Sequence, residues 1–212
     1  MKPVQLDRGL WRWSAPHPDW RPGTAGSSAD WPRYVGCTLF ATSTIALFVD
    51  PMLPSATSAF WRWSDERCAG RSVAVFTTIG YHARSRDAFI ARYGGARYGE
   101  GAADELTLPG GVHCLPLDGV GETLVWLAEA RTLITGDSII GAGRGRLRLC
   151  PESWLEDAPG TVTLADLREQ LGDLLAPLPI ERVLVSHGEP VLSGGREALA
   201  MALGVVALSR HD

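Results

Sequence analysis

The order of strand-like and helix-like runs is what most limits the fold of this chain. Clusters of β-branched and aromatic residues lie at about 9–13, 34–41, 44–49, 72–77, 112–116, 122–128, 132–135 and 182–185. Helical patterns occupy about 55–68, 84–93, 163–177 and 195–208. Adjacent strands precede the first helix, helix and strand then alternate, and hairpin-like strands return around Gly110-Gly111. A plain β-α-β repeat would build a doubly wound parallel sheet, whereas this order predicts an α/β protein of mixed sheets with helices packed outside them. The sharpest helix is TLADLREQLGDLLAP. Thr163 can cap it, Asp166 stands at its third position, Leu164, Leu167, Leu171, Leu174 and Leu175 share one face, and Pro177 stops it.

A chain of 212 residues, 45% of them hydrophobic, can bury a full core and reads as one domain over 1–212. A net charge of -4 without a long basic run speaks against nucleic acid and anionic membrane as partners. The longest apolar run, ALAMALGVVAL at 198–208, is too short to span a bilayer, and MKPVQLDRGL lacks the apolar stretch of a secretory signal. A cytoplasmic location is expected. Lys2 is the sole lysine among many arginines, as in a GC-rich genome. Cys37, Cys68, Cys114 and Cys150 stand singly with no C-x-x-C pair, which argues against a zinc knuckle and a disulfide-dense scaffold and predicts mostly buried thiols. The C-terminal helix is apolar on too many sides for one stripe, so it is either deeply buried or half used in a homodimer. WRWS occurs at 11–14 and again at 61–64, but with unmatched flanks, so it marks no repeat; the proline- and glycine-rich 16–32 reads as a long loop.

Three of the residues suited to chemistry each follow a strand. His82 follows VAVFTT, Asp137 ends TLITGD, and His187 follows RVLVS in SHGEP. If those strands share one edge of a core, two imidazoles and a carboxylate converge, a donor set suited to a divalent metal. Asp and His also end strands simply as turn formers. His17, in APHPDW, could cover a pocket with Trp11, Trp13 and Trp20 or pack down on the sheet, His113 lies within a strand, and His211 is next to last. There is no G-x-S-x-G, and Ser186 and His187, as neighbours on a strand, point apart. GAGRGRLRL at 141–149 is no dinucleotide loop, because Arg146 replaces the third glycine; it reads as a pocket rim or as a strand with alternate arginines in water.

Taken in order, VDPMLP with Asp50-Pro51, VAVFTT, LITGD and SHG resemble the metallo-β-lactamase superfamily, from about residue 34 to 192. That resemblance implies an αββα sandwich of two mixed sheets flanked by helices. It also implies one or two metals held by H-x-H-x-D-H, a further His in a G-H-T-P-G-like segment, the Asp of G-D and a late His. Here Thr78 and Gly80 stand where the first-metal histidines belong, Ala83 replaces the fourth ligand of that motif, and Asp118 of D-G-V-G replaces the remaining histidine. His82, Asp137 and His187 keep the second-site positions. Two readings follow. One is a hydrolase of esters, lactones, thioesters or amides with a single zinc, iron or manganese, Asp118 holding or deprotonating water and Arg84 contacting a substrate anion or the transition state. The other is a metal-free relative in which Arg84 pairs with Asp137 or Asp118, and the former cleft binds a small ligand or a protein partner. YHARS resembles a branch, common in high-GC bacteria, whose histidine motif is degraded in this way.

Overall fold

In the computed structural model, which describes residues 2–21, 31–99, 107–108 and 111–208, the strand and helix patterns assemble into four layers. The first sheet takes β1 (Val4–Asp7), β2 (Leu10–Pro16), β3 (Tyr34–Ala41), β4 (Ile45–Val49), β5 (Ser72–Thr77) and β6 (Ala96–Gly99) in simple sequence order. Its first steps are antiparallel. β4, β5 and β6 run parallel, because the connections between them cross over through α1 (Thr57–Cys68) and α2 (Arg86–Tyr93).

The second half of the chain repeats the plan in another order. β7 (Thr107–Leu108), β8 (Val112–Pro116), β9 (Thr123–Leu127) and β10 (Thr132–Thr135) form a meander, and β11 (Ile139–Gly143) and β12 (Arg146–Leu149) form a separate hairpin. After α3 (Leu164–Leu175), β13 (Arg182–Val185) returns parallel to β10 at the edge of the second sheet, and α4 (Gly195–Leu203) follows.

Period-two side chains sort these strands into layers. Ile45, Leu47 and Val49 of β4 meet Val125, Leu127, Ile134 and Leu184 between the two sheets. Ala46 and Phe48, on the opposite face of β4, pack with Trp13, Phe60 and Phe89 beneath α1 and α2. The far face of the second sheet, through Leu133, Val183 and Val185, takes Leu167, Leu171 and Leu175 of α3 and Leu199 and Leu203 of α4. The result is the expected αββα sandwich, with each fully buried Leu or Phe contributing about 1.5–3 kcal/mol.

Several local expectations are met. Thr163 and Asp166 form a reciprocal capping box, with Thr163 Oγ1 accepting from Asp166 N at 3.2 Å and Asp166 Oδ2 accepting from Thr163 N at 2.9 Å. GAGRGRLRL forms β11 and β12, with Leu147 and Leu149 buried and Arg146 and Arg148 exposed. All four cysteines are buried and free. The two WRWS copies differ in structure, one on β2 and one on α1, and they touch, since the rings of Trp11 and Trp13 lie 6.3 and 6.0 Å from that of Trp63. α4 stops at Leu203, earlier than its apolar run, because Gly204 turns left-handed at φ 71°. Ala198, Leu199, Ala200 and Leu203 are buried and Met201 is exposed. Among the described residues, no helix is long and apolar enough to cross a membrane.

Candidate metal centre

The sheets meet at the ends of their parallel strands. Gly36 N donates to Ser186 O at 2.7 Å, Thr123 N donates to Thr78 O at 2.8 Å, and the buried Arg12 Nη2 donates to Val185 O at 2.7 Å. These links bring the segments after β4, β5, β10 and β13 to one place. There His82 Nε2 and His187 Nε2 each lie 3.1 Å from the same oxygen, Asp137 Oδ1. One donor atom from each of the three residues falls within 4.8 Å of the others, and among the described residues this is the one such cluster of three or more His, Cys, Asp or Glu.

His82 is buried, in a turn of 3-10 helix after β5. Its Nδ1 lies 2.9 Å from Asp50 Oδ2, which also accepts from Thr78 Oγ1 at 2.6 Å and Ser186 Oγ at 3.2 Å. Asp50 Oδ1 accepts from Thr78 N at 2.8 Å. An ionised carboxylate only accepts, so the hydrogen sits on Nδ1 and Nε2 is turned toward Asp137. A neutral His82 would set a bare lone pair against an anionic oxygen, so the gap between them calls for positive charge. Burial and Arg84 oppose protonation of His82, but Asp137 and Asp50, one on each nitrogen, outweigh them and raise its pKa to about 9. Burial likewise opposes ionisation of Asp137, yet the two imidazoles hold its pKa well below the carboxylate range.

His187 is held by rings: Trp31 and Trp154 meet it edge-on at 5.2 and 5.6 Å, and its Nδ1 has no hydrogen-bond partner among the described residues. Burial lowers its pKa. Two neutral imidazole nitrogens and one carboxylate oxygen suit zinc, iron or manganese, and donors at about 2.0–2.2 Å from a cation would stand roughly 3–3.6 Å apart. The two 3.1 Å separations match that spacing, and Asp137 Oδ1, buried and without a conventional hydrogen bond among the described residues, is the atom a cation would satisfy.

The remaining sequence candidates divide. Arg84 lines the same cavity as His82, Asp137 and His187, but no ion pair joins it to Asp137 or Asp118. Instead Nη1 donates to the carbonyls of Gly36 and Asp50, each at 3.0 Å, and Nε and Nη2 are buried without a hydrogen-bond partner among the described residues. Arg84 sits at φ 43°, a positive value uncommon for a residue other than glycine. Asp118 lies apart, exposed on the turn before β9, where its carbonyl accepts from Gln170 Nε2 at 3.2 Å. Four residues on, Glu122 is the carboxylate that turns inward. It accepts from the amides of Gly136, Asp137 and Ser138 at 2.8, 3.0 and 2.7 Å and from Ser138 Oγ at 2.9 Å, so it shapes the loop that presents Asp137. Burial and the nearby Asp137 push its pKa up to about 7, against the pull of those donors. His17 does line the cavity, with Trp31 as its ring partner at 5.1 Å, whereas Trp11 and Trp13 pack in the outer core. His113 stands on β8, paired with Trp126 and Thr107, and His211 lies outside the described residues, as do 22–30 of the expected long loop.

Sequence reasoning assigned no role to Asp50 or Glu122. The signal available was positional: both flank apolar strands, as Asp137 does.

Comparison of the sequence with family models gives no match, and comparison with curated proteins gives none either. The structure bears out the likeness that the order of the motifs implied, for the chain has the metallo-β-lactamase fold. A metallo-β-lactamase from Erythrobacter litoralis, solved with β-mercaptoethanol in its active site, is similar over 96% of this chain and 94% of its own, with TM-score 0.66 and 17% identity. One from Hirschia baltica is similar over 100% and 98%, with TM-score 0.63 and 14% identity.

Proposed function

We propose that this chain is a hydrolase of the metallo-β-lactamase fold that works with one divalent cation, zinc, iron or manganese, on an ester, lactone, thioester or amide. The supporting observation is the convergence of His82 Nε2 and His187 Nε2 on Asp137 Oδ1, each at 3.1 Å, at the wall of a cavity of about 320 Å³. When bound, the cation supplies Lewis acidity, polarising a carbonyl and acidifying water. His82, Asp137 and His187 hold it, Asp50 keeps the Nε2 of His82 free for it, and Glu122 fixes the Asp137 loop. Trp31 and Trp154 keep bulk water from His187. Arg84 gives the cavity a fixed positive charge, suited to an anionic substrate group or to the negative charge that develops during acyl transfer. Asp118, outside the cavity, takes no part in this reading.

One observation favours a second reading, a metal-free protein that binds a small ligand in this cleft. A proton on His82, held at a pKa of about 9, answers the same gap between Asp50 and Asp137. Elemental mass spectrometry of protein purified without a polyhistidine tag or chelator separates the two. About one equivalent of zinc, iron or manganese supports the hydrolase; less than about a tenth, even after incubation with metal, removes it.

A further inference from the structure

A second cavity, also of about 320 Å³, adjoins the first and shares Tyr81, Asp137 and Trp154 with it. Its character is different. Ile79, Val120, Leu155, Ala158 and Pro159 form its walls, where the first cavity has His17, Asp19 and Arg84. Glu122, Ser138 and Asp157 also reach it; both oxygens of Glu122 are already taken by the amides of 136–138 and by Ser138 Oγ, and Asp157 is exposed, so water meets its charge at the rim. Gly80 borders this space, and a Cβ added there would meet nothing within 4 Å. A larger side chain is therefore sterically tolerated at position 80, on the border of this space.

We propose that this cavity is an acyl-binding site, taking the apolar chain of a medium-length acyl ester or thioester whose carbonyl lies at the His82, Asp137 and His187 cluster; this rests on the hydrolase reading above. Asp137 stands on the wall common to both cavities, so a substrate lying across it places its acyl chain on the apolar side and its leaving group on the side of His17 and Arg84. In the reaction, the bond from acyl carbon to leaving group breaks, and water supplies hydroxide to the acyl carbon and a proton to the leaving group. At about 30 Å³ for each water-sized unit, the cavity holds roughly ten non-hydrogen atoms, a chain of about six to ten carbons. Each methylene it buries tightens binding about fourfold.

Binding and turnover are measured separately. Sodium acetate and sodium octanoate are titrated calorimetrically into the full chain, as purified and with one equivalent of zinc, and hydrolysis of 4-nitrophenyl acetate and 4-nitrophenyl octanoate is followed in parallel. Octanoate is expected to bind about 100-fold or more tightly than acetate. Gly80→Phe, which sets a ring on the border of this space, is expected to erase that preference without changing Tm. Gly80→Ala, which fills little of it, should keep most of the preference and serves as the second variant. Equal affinity for the two acids, or a preference that survives Gly80→Phe, overturns the acyl site. Tight octanoate binding without turnover of either ester removes the hydrolase reading and leaves the site standing. Equal turnover of both esters with no binding preference does the reverse.

Discussion

Asp50 holds one end of His82 and Asp137 the other, and most of what the cluster can do depends on the first of these contacts. Replacing Asp50 with Ala strands Thr78, Ser186 and His82 without their common acceptor. We expect a loss of about 3–5 kcal/mol in urea unfolding, since one member of a buried charged pair is removed, and a 10–100-fold weaker affinity for zinc in a dye competition. In the metal-free protein His82 also sets a pH dependence. Its folded pKa of about 9 lies above the ordinary value of 6.5, so the protonated ring stabilises the fold fully below about pH 6.5, and that stability is lost as pH rises through 9. Chelated protein should therefore lose Tm between pH 7 and 10; a flat profile would contradict the double contact of His82. Asp137 acts from the other side, its depressed pKa giving stability that is lost as pH falls below the ordinary carboxylate range. His82, Asp137 and His187 were legible in the sequence because each lies in the turn after an apolar strand and matches a ligand position that the motif resemblance implies. Asp50 and Glu122 were not, since which carboxylate faces which ring is settled by how two sheets meet. Asp118 misled because a D-G-V-G turn offers its side chain to water.

At the scale of elements, β3, β5, β8, β10 and β13 lie where their β-branched runs place them. β1, β6 and β7 escaped; they are two to four residues long and depend on a neighbouring strand rather than on a pattern of their own, and β11 lay only partly within the run read as rim or strand. Helix ends were readable where chemistry marks them: Thr163→Ala should cost about 1 kcal/mol through loss of the cap on α3, measured by chemical denaturation. The turn between β5 and α2 carries a sharper prediction. Arg84, at a positive φ, donates to two carbonyls and adds positive charge beside the candidate cation site. Arg84→Ala should therefore tighten zinc binding several-fold by removing that repulsion. Weaker binding in the variant would mean that the guanidinium chiefly braces the site through Gly36 and Asp50.

Over the whole molecule, the cluster joins parts that are otherwise separate layers, His82 from the first sheet and Asp137 and His187 from the second. A cation at about 100 times its dissociation constant should add about 2.7 kcal/mol to unfolding, and Asp137→Ala should abolish that gain; a Tm series with and without zinc reads both. The layer order itself was legible, because the succession of strands and helices excluded a single parallel sheet. The meeting edge was not, since it depends on bonds such as Gly36 N to Ser186 O between residues 150 apart in number. The sheets also divide the chain cleanly in sequence. Every strand of the first sheet ends by Gly99, and every strand of the second begins at or after Thr107. The polypeptide passes from one sheet to the other a single time, so two separately synthesised fragments, parted between those residues, each carry a whole sheet with its own helices. Mixed together, they should find each other through Leu47, Val49, Val125 and Leu184, and a cation shared by His82 on one fragment and Asp137 and His187 on the other would report that they had.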